Sequence, residues 1–242
     1  MRKNSKNKKN KVIDATNNLV PNNEQNCKNR LNPRSINQKK YIEMINSNTI
    51  TFCAGLAGSG KTHIAVGAGI EALLTEKVKK IIITRPVLEA GEKIGYLPGT
   101  AEEKLHPYLL PIVDEILYFI SMAQYAALKL NNKIEVVPLG LMRGRNFHDA
   151  FIIADECQNA SYEQLKMLLT RVGQRSKMVL TGDTKQSDLS RHLQGGFADM
   201  IYNLDGVEGI GFSKLESMDI VRNPIIEKIL TRLDSIEDGT KT

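Results

Sequence analysis

The chain of 242 residues reads as an α/β fold in which helices sandwich a parallel sheet, in a single core domain. Three observations predict it. Short apolar runs recur without polar alternation, as in strands buried on both faces. Helical patterns separate these runs, and a glycine-rich turn joins the first run to the first helical pattern. In order, residues 49–54 are β-rich and end at that turn, and a helix is expected from 61 to about 74. Residues 80–84 form the second run, stopped by Pro86. Residues 101–130 read as helical but broken at Pro107 and Pro111. Residues 134–137, 150–155 and 177–181 are the remaining strands. Ser161-Tyr-Glu-Gln164 is a capping-box pattern opening a helix whose Leu165, Leu168, Leu169 and Val172 share one face. A last helix is expected from Pro224, capped by Asn223, with Ile226, Ile229, Leu230 and Leu233 on one side.

Composition narrows the function classes. The chain is 41% hydrophobic and 25% charged, as ordinary globular domains are. No run of about 20 mostly apolar residues is present to span a bilayer, so no membrane partner is expected. The basic N-terminus is not followed by the apolar stretch of a secretory signal. Cys27, Cys53 and Cys157 make neither a disulfide framework nor a zinc site, and reduced thiols suit a cytoplasmic location. The net charge is +6, from 33 basic and 27 acidic residues; eight and two of these fall in residues 1–33, leaving 25 of each in the rest. That segment also holds ten Asn and shows no periodicity. Residues 1–33 are therefore expected to be a disordered basic tail, and 34–242 the folded domain. Such an arm either adds salt-sensitive affinity for phosphate backbones or serves solubility alone.

The strongest motif is Gly55-Leu-Ala-Gly-Ser-Gly-Lys61-Thr62, which fits G-x-x-x-x-G-K-[ST] between a strand and a helix. Its glycines let backbone N–H groups of residues such as Leu56, Ala57, Gly58, Ser59 and Gly60 wrap an anion at a helix N-terminus. Lys61 is placed to set its ammonium on the β- and γ-phosphates of a nucleotide, and Thr62 to offer a hydroxyl to Mg²⁺. His63, the next residue, is counted among the nucleotide contacts.

Phe151-Ile-Ile-Ala-Asp155-Glu156 is an apolar strand ending in two adjacent carboxylates, at the sheet edge where parallel folds bind ligands. Alone it reads more readily as a solvated strand end. About ninety residues after the phosphate loop in the same sheet, Asp155 is expected to hold Mg²⁺ and Glu156 to activate the attacking water. Gly182-Asp183-Thr184-Lys185-Gln186 follows the next strand, and the Gln186 amide is expected to sense the γ-phosphate. An ordinary Gly-Asp turn would explain Gly182 and Asp183 but not Gln186.

Together these segments resemble the PhoH-like family of P-loop ATPases, relatives of the nucleotide-binding core of superfamily 1 helicases. The residues that carry the match are Asn37-Gln38, the loop at 55–62, Thr84-Arg85-Pro86 and Glu89-Ala-Gly-Glu-Lys-Ile-Gly-Tyr-Leu-Pro98. They continue with Met142-Arg-Gly-Arg145, Asp155-Glu-Cys-Gln-Asn159, Gly182-Asp-Thr-Lys-Gln186 and Val221-Arg222-Asn223-Pro224. The match runs from about 36 to 233, and the block through Pro98 is its most specific part. The resemblance implies a RecA-like P-loop core that hydrolyses ATP, with Gln38 reading the adenine. It also implies that Arg222 stabilises γ-phosphate charge, across a subunit interface of a homo-oligomeric ring such as a hexamer. Cys157 stands where the family more often has Ala, and Asn223 where His is frequent.

Other candidates stay open at this level. Arg143 and Arg145 either touch nucleic acid or a neighbouring subunit, or sit in a solvated loop. Arg85 either faces a nucleic-acid strand, as its position does in helicase relatives, or makes a structural ion pair. The histidines, His63, His106, His148 and His192, form no metal-ligand spacing, are expected at the surface and are assigned no chemistry. Three functions compete: an ATPase coupled to RNA or single-stranded DNA, a nucleotide switch regulating a partner, and a small-molecule kinase. The adjacent Asp155-Glu156 pair suits water activation better than kinase chemistry. A helicase needs two such cores, so one core per chain points to an oligomer.

Overall fold

The computed structural model describes residues 27–86, 101–184, 186–189 and 193–220, through the backbone alone at 101–108. Helices and strands alternate in the order α1 (Ile36–Ser47), β1 (Ile50–Gly55), α2 (Lys61–Leu74), β2 (Lys80–Thr84), α3 (Ala101–Phe119), α4 (Met122–Leu130) and β3 (Ile134–Val136). They continue with β4 (Ala150–Ala154), α5 (Tyr162–Leu169), β5 (Lys177–Gly182), α6 (Gly196–Asn203) and β6 (Ile210–Leu215). The six strands form one sheet in the order β3-β2-β4-β5-β1-β6. Every pairing between strands is parallel.

Burial of the sheet on both faces follows from β4, whose residues alternate between two cores. Phe151 and Ile153 pack with Ile64, Ile70 and Phe119 on one side, while Ile152 packs with Phe52, Leu165, Leu180 and Phe197 on the other. Phe52 is fully buried, stacked on Phe212 at 5.4 Å and tilted against Phe197 at 5.9 Å. Truncating it leaves a cavity in the second core, so Phe52→Ala should cost about 3–5 kcal/mol of unfolding free energy. Denaturant titration, with the midpoint falling at an unchanged slope, checks this.

Three elements lay outside the sequence reading. The first, α1, is polar in composition, yet it buries Gln38, Tyr41 and Ile45. Ser35 caps its start by accepting from the Gln38 N–H at 3.1 Å. At its other end the Lys177 ammonium donates to the carbonyls of Ile45, Asn46 and Asn48 at 2.6–2.9 Å, a cation on a helix C-terminus. The second, α6, is eight residues long and buries Phe197 and Met200. The third, β6, mixes Gly211, Ser213 and Lys214 with apolar residues because it is an edge strand, half exposed.

Four expectations need correction. First, α3 is not broken at Pro107 or Pro111; the break falls at Ile120–Ser121, where Ser121 and Gln124 form a capping box. Pro111 lies on the exposed side, so water can solvate the carbonyl one turn earlier. Ile112, Ile116 and Phe119 are buried along the other side, and burying three such side chains at about 1.5–3 kcal/mol each outweighs a penalty of about 3 kcal/mol at Pro111. Second, α5 has the expected capping box but ends at Leu169; Val172 instead bridges to Phe147. Third, residues 27–33 do not stand apart from the folded domain. The Lys28 N–H donates to the Phe119 carbonyl and the Asn29 amide to that of Tyr118, both at 2.7 Å, and Leu31 packs on the core. Residues 1–26 and the helix expected from Pro224 lie outside the described residues. Fourth, the strand at 134–137 stops at Val136 and that at 150–155 at Ala154, with the Asp155 N–H still donating to the Thr84 carbonyl of β2 at 3.0 Å. No single helix among the described residues is long and apolar enough to cross a membrane.

Candidate functional site

The parallel winding brings the C-terminal ends of β1, β2, β4 and β5 to one edge, and the candidate residues emerge there. Between β1 and α2 the chain makes the glycine-rich loop. Gly60 has φ +92°, and a Cβ there would meet the Gln38 amide nitrogen at 2.9 Å, so glycine is needed twice over. Gln38 is buried and props the loop from behind. Its Nε2 donates to the Ser59 carbonyl at 2.9 Å, and its Oε1 accepts from the Arg34 N–H at 2.7 Å. The Lys61 ammonium is folded onto the loop, donating to the carbonyls of Gly55 at 2.7 Å and Leu56 at 2.9 Å. No side chain caps the N-terminus of α2, which leaves its first N–H groups facing the loop.

Thr62, in the first turn of α2, reaches across to β4. Its hydroxyl donates to Asp155 Oδ1 at 2.8 Å, and the hydroxyl of Thr181 on β5 donates to the same oxygen at 2.6 Å. Asp155 is 4% exposed. A buried carboxylate beside a hydroxyl is the hard-oxygen donor set that Mg²⁺ takes.

Glu156 adopts a left-handed backbone, φ 55° and ψ 40°, uncommon for a residue with a Cβ and typical of functional turns. Gln158 donates its amide to Glu156 Oε2, and the Arg85 guanidinium, at the end of β2, stands 3.4 Å from Oε1. The other end of the Gln158 amide accepts from the Asp183 N–H at 3.0 Å. Gly182 makes room for this contact, since a Cβ there would meet the Phe197 ring at 2.8 Å and Gln158 Oε1 at 3.1 Å. Asn159 and Asp188 exchange two further hydrogen bonds at 2.9 and 3.1 Å, so the acidic turn is stitched to the segment after β5.

A cavity of about 470 Å³ opens over the loop, lined by Ala57, Gly58, Gly60, Lys61 and Thr62, with Gln38, His63 and Glu156 at its walls. That volume is within the usual range of small-molecule sites. Contrary to the sequence expectation, His63 is not a free surface group. Its Nδ1 lies 2.7 Å from Glu115 Oε2, and its ring contacts those of Tyr118 and Phe119 at centroid distances of 4.9 Å. Gln186 is exposed and does not line the cavity, and Arg222 lies outside the described residues.

Arg145 is partly exposed and carries an ion pair. It donates to Glu135 at 2.8 Å and lies over the Phe147 ring at 4.7 Å, beside the edge strand β3. Burial opposes ionisation of Glu135, but hydrogen bonds from Arg145 and Lys80 prevail and hold its carboxyl below the usual range. Arg143 is exposed, and His148 accepts from the Gln174 N–H at the opposite end of the sheet. Burial pushes the Cys53 thiol up to about 12 and raises the Cys157 thiol as well, with Asp155 and Glu156 adding to the second. Both thiols stay protonated and unreactive.

The sequence reading gave no role to Gln158, Thr181, Glu115 or Tyr118. Gln158 carried one signal, its place two residues after Glu156. The others come from separate elements and had none.

Comparison with known proteins agrees with this geometry. The family pattern for PhoH-like protein matches residues 30–234. A PhoH-like protein of Mycobacterium bovis (strain ATCC BAA-935 / AF2122/97) is 43% identical over 200 residues, covering 83% of this chain and 57% of the relative. One from Synechocystis sp. (strain ATCC 27184 / PCC 6803 / Kazusa) is 42% identical over 205 residues, covering 85% and 62%. The chain thus spans about three fifths of the length of these relatives. Among solved structures, the large terminase from a thermophilic bacteriophage superposes with a TM-score of 0.52 at 12% identity, covering 83% of this chain and 50% of that one. That likeness concerns the fold, which is of the RecA-like P-loop type. With the pattern matched across most of its length and relatives this similar, the chain belongs to the PhoH-like protein family.

Proposed function

We propose that this chain binds ATP with Mg²⁺ over the glycine-rich loop and hydrolyses it, in a cycle coupled to RNA or single-stranded DNA. The observation that carries the reading is that Thr62 and Glu156 line the loop's cavity while the Thr62 hydroxyl reaches back to the buried Asp155 at the end of β4. In this reading the Lys61 ammonium exchanges the Gly55 and Leu56 carbonyls for the β- and γ-phosphates. Thr62 and Asp155 hold Mg²⁺, which when bound neutralises charge on the phosphate oxygens. Glu156 orients the attacking water and accepts its proton. Gln38 meets the adenine with the second lone pair of its carbonyl oxygen or by giving up a bond to the loop. Gln186 senses the γ-phosphate from the segment stitched to Gln158 and Asn159, and Arg222 completes a neighbouring subunit's site in a homo-oligomeric ring. The protein works in the cytoplasm, with residues 1–26 as a basic arm for the polymer.

Phosphate release, measured with and without poly(U) or oligo(dT) at low salt, tests the coupling. Turnover should rise with polymer, and removing residues 1–26 should raise the polymer concentration needed, more so at low than at high salt. Hydrolysis that no polymer stimulates would favour the nucleotide switch, and a phosphorylated metabolite in place of free phosphate would favour a kinase.

A further inference from the structure

The contact between Arg85 and Glu156 has no place in the reading above. Strands β2 and β4 are neighbours with Thr84 opposite Ala154, so Arg85 and the Asp155-Glu156 pair leave the sheet side by side. On the other flank β5 is the neighbour, and Gln158 reaches its end through Asp183. Glu156 is therefore held from both sides, Oε1 by the guanidinium of Arg85 and Oε2 by Gln158. A carboxylate fixed in this way is not at liberty to orient a water over the loop.

The two restraints differ in kind. Gln158 belongs to the same turn as Glu156 and is tied to the backbone of Asp183, so it moves only with that segment. Arg85 stands at 3.4 Å, longer than the roughly 2.7–2.9 Å of a close charge-assisted hydrogen bond. Its side chain is 23% exposed and that of Glu156 36%, so a ligand at the sheet edge can reach the pair. A guanidinium presents a planar fork of donors that matches two oxygens of a phosphate. A phosphodiester can engage that fork through two oxygens, whereas the contact with Glu156 uses a single oxygen at 3.4 Å. Because basic and acidic residues balance outside residues 1–33, attraction for a polyanion on the core must come from local groups of this sort.

We propose that Arg85 is a phosphate-operated latch on Glu156. Without polymer the guanidinium holds the carboxylate aside; a phosphodiester of a bound single strand takes the guanidinium and frees Glu156 to position water. Arg85 is then a positioning residue, and its contact with Glu156 couples polymer binding to turnover. The proposal rests on the reading of the chain as a nucleic-acid-coupled ATPase.

The test uses the full chain, with steady-state ATP hydrolysis measured with and without poly(U) and oligo(dT). Arg85→Gln should raise kcat in the absence of polymer several-fold, leave KM for ATP unchanged, and reduce stimulation by polymer to near one. A merely structural role predicts a lower kcat or a higher KM, so a rise in kcat alone separates the two. Arg85→Lys, which keeps the charge but not the fork, should keep the polymer-free rate low and need several-fold more polymer for half-maximal stimulation; it carries the test if Arg85→Gln does not fold. Stimulation by one polymer and not the other identifies RNA or DNA as the source of the phosphodiester. Polymer stimulation of the wild type, with basal rate and stimulation unchanged in Arg85→Gln, overturns the latch alone, as does an unchanged polymer requirement in Arg85→Lys. A wild type that no polymer stimulates overturns the latch together with the coupled reading.

Discussion

Glu156→Gln should bind ATP as the wild type does and hydrolyse it about 10²–10⁴-fold more slowly, the usual cost of losing a general base. The replacement keeps the volume and a hydrogen-bonding amide, so the turn at 157–159 and its links to Asp183 and Asp188 should survive. What is lost is the group that takes a proton from water. Loop and Mg²⁺ oxygens come from other residues, Thr62 and Asp155, so nucleotide affinity should stay within a few-fold. Fluorescent-nucleotide titration gives the affinity, and phosphate release in a single turnover gives the chemical step. Equal loss of both would show that Glu156 holds the nucleotide or the turn and does not activate water.

Lys61→Ala should show the opposite pattern, with binding itself lost. The ammonium makes two hydrogen bonds to loop carbonyls at 2.7 and 2.9 Å, and in the proposed complex the same donors turn to phosphate oxygens. Charge-assisted hydrogen bonds contribute about 1.5–3 kcal/mol each, so removing two should weaken ATP binding about 10²–10⁴-fold. Isothermal titration with ATP and Mg²⁺ reads this directly. The fold should persist, because the helix and strands flanking the loop are held by Ile64, Val66 and Phe52 in the two cores. Retention of near wild-type affinity by a folded Lys61→Ala protein would remove the loop from nucleotide binding.

Both variants fall on parts of the site that were legible in the sequence. The loop could be read because its residues are contiguous and Gly55, Gly60, Lys61 and Thr62 each meet a backbone, charge or ligand requirement that few other residues meet. Gly60 illustrates this, with a positive φ and no space for a Cβ. The acidic pair was legible as the end of an apolar run, and its strand indeed stops at Ala154. Central strands buried on both faces carry a strong apolar signal, which is why β2, β4 and β5 were found within a residue at each end. The edge strand β6 and the polar helix α1 carry little such signal, since half of each faces water. Prolines misled in α3 because the penalty is local and legible, whereas the compensating burial of Ile112, Ile116 and Phe119 depends on partners far along the chain.

By itself, then, the sequence determined that a phosphate-cradling loop precedes a helix in a parallel α/β sheet, and which carboxylates end the neighbouring apolar run. These are consequences of local backbone chemistry and of strands that must be apolar throughout. Only the tertiary structure decided what those groups touch. It set Thr181 and Thr62 on one oxygen of Asp155, placed His63 against Glu115, and closed Arg85 and Gln158 around Glu156. Each of these contacts joins residues from different strands or helices, or bends one short turn back on itself. Their distances are set by strand order and register, which no stretch of sequence carries alone.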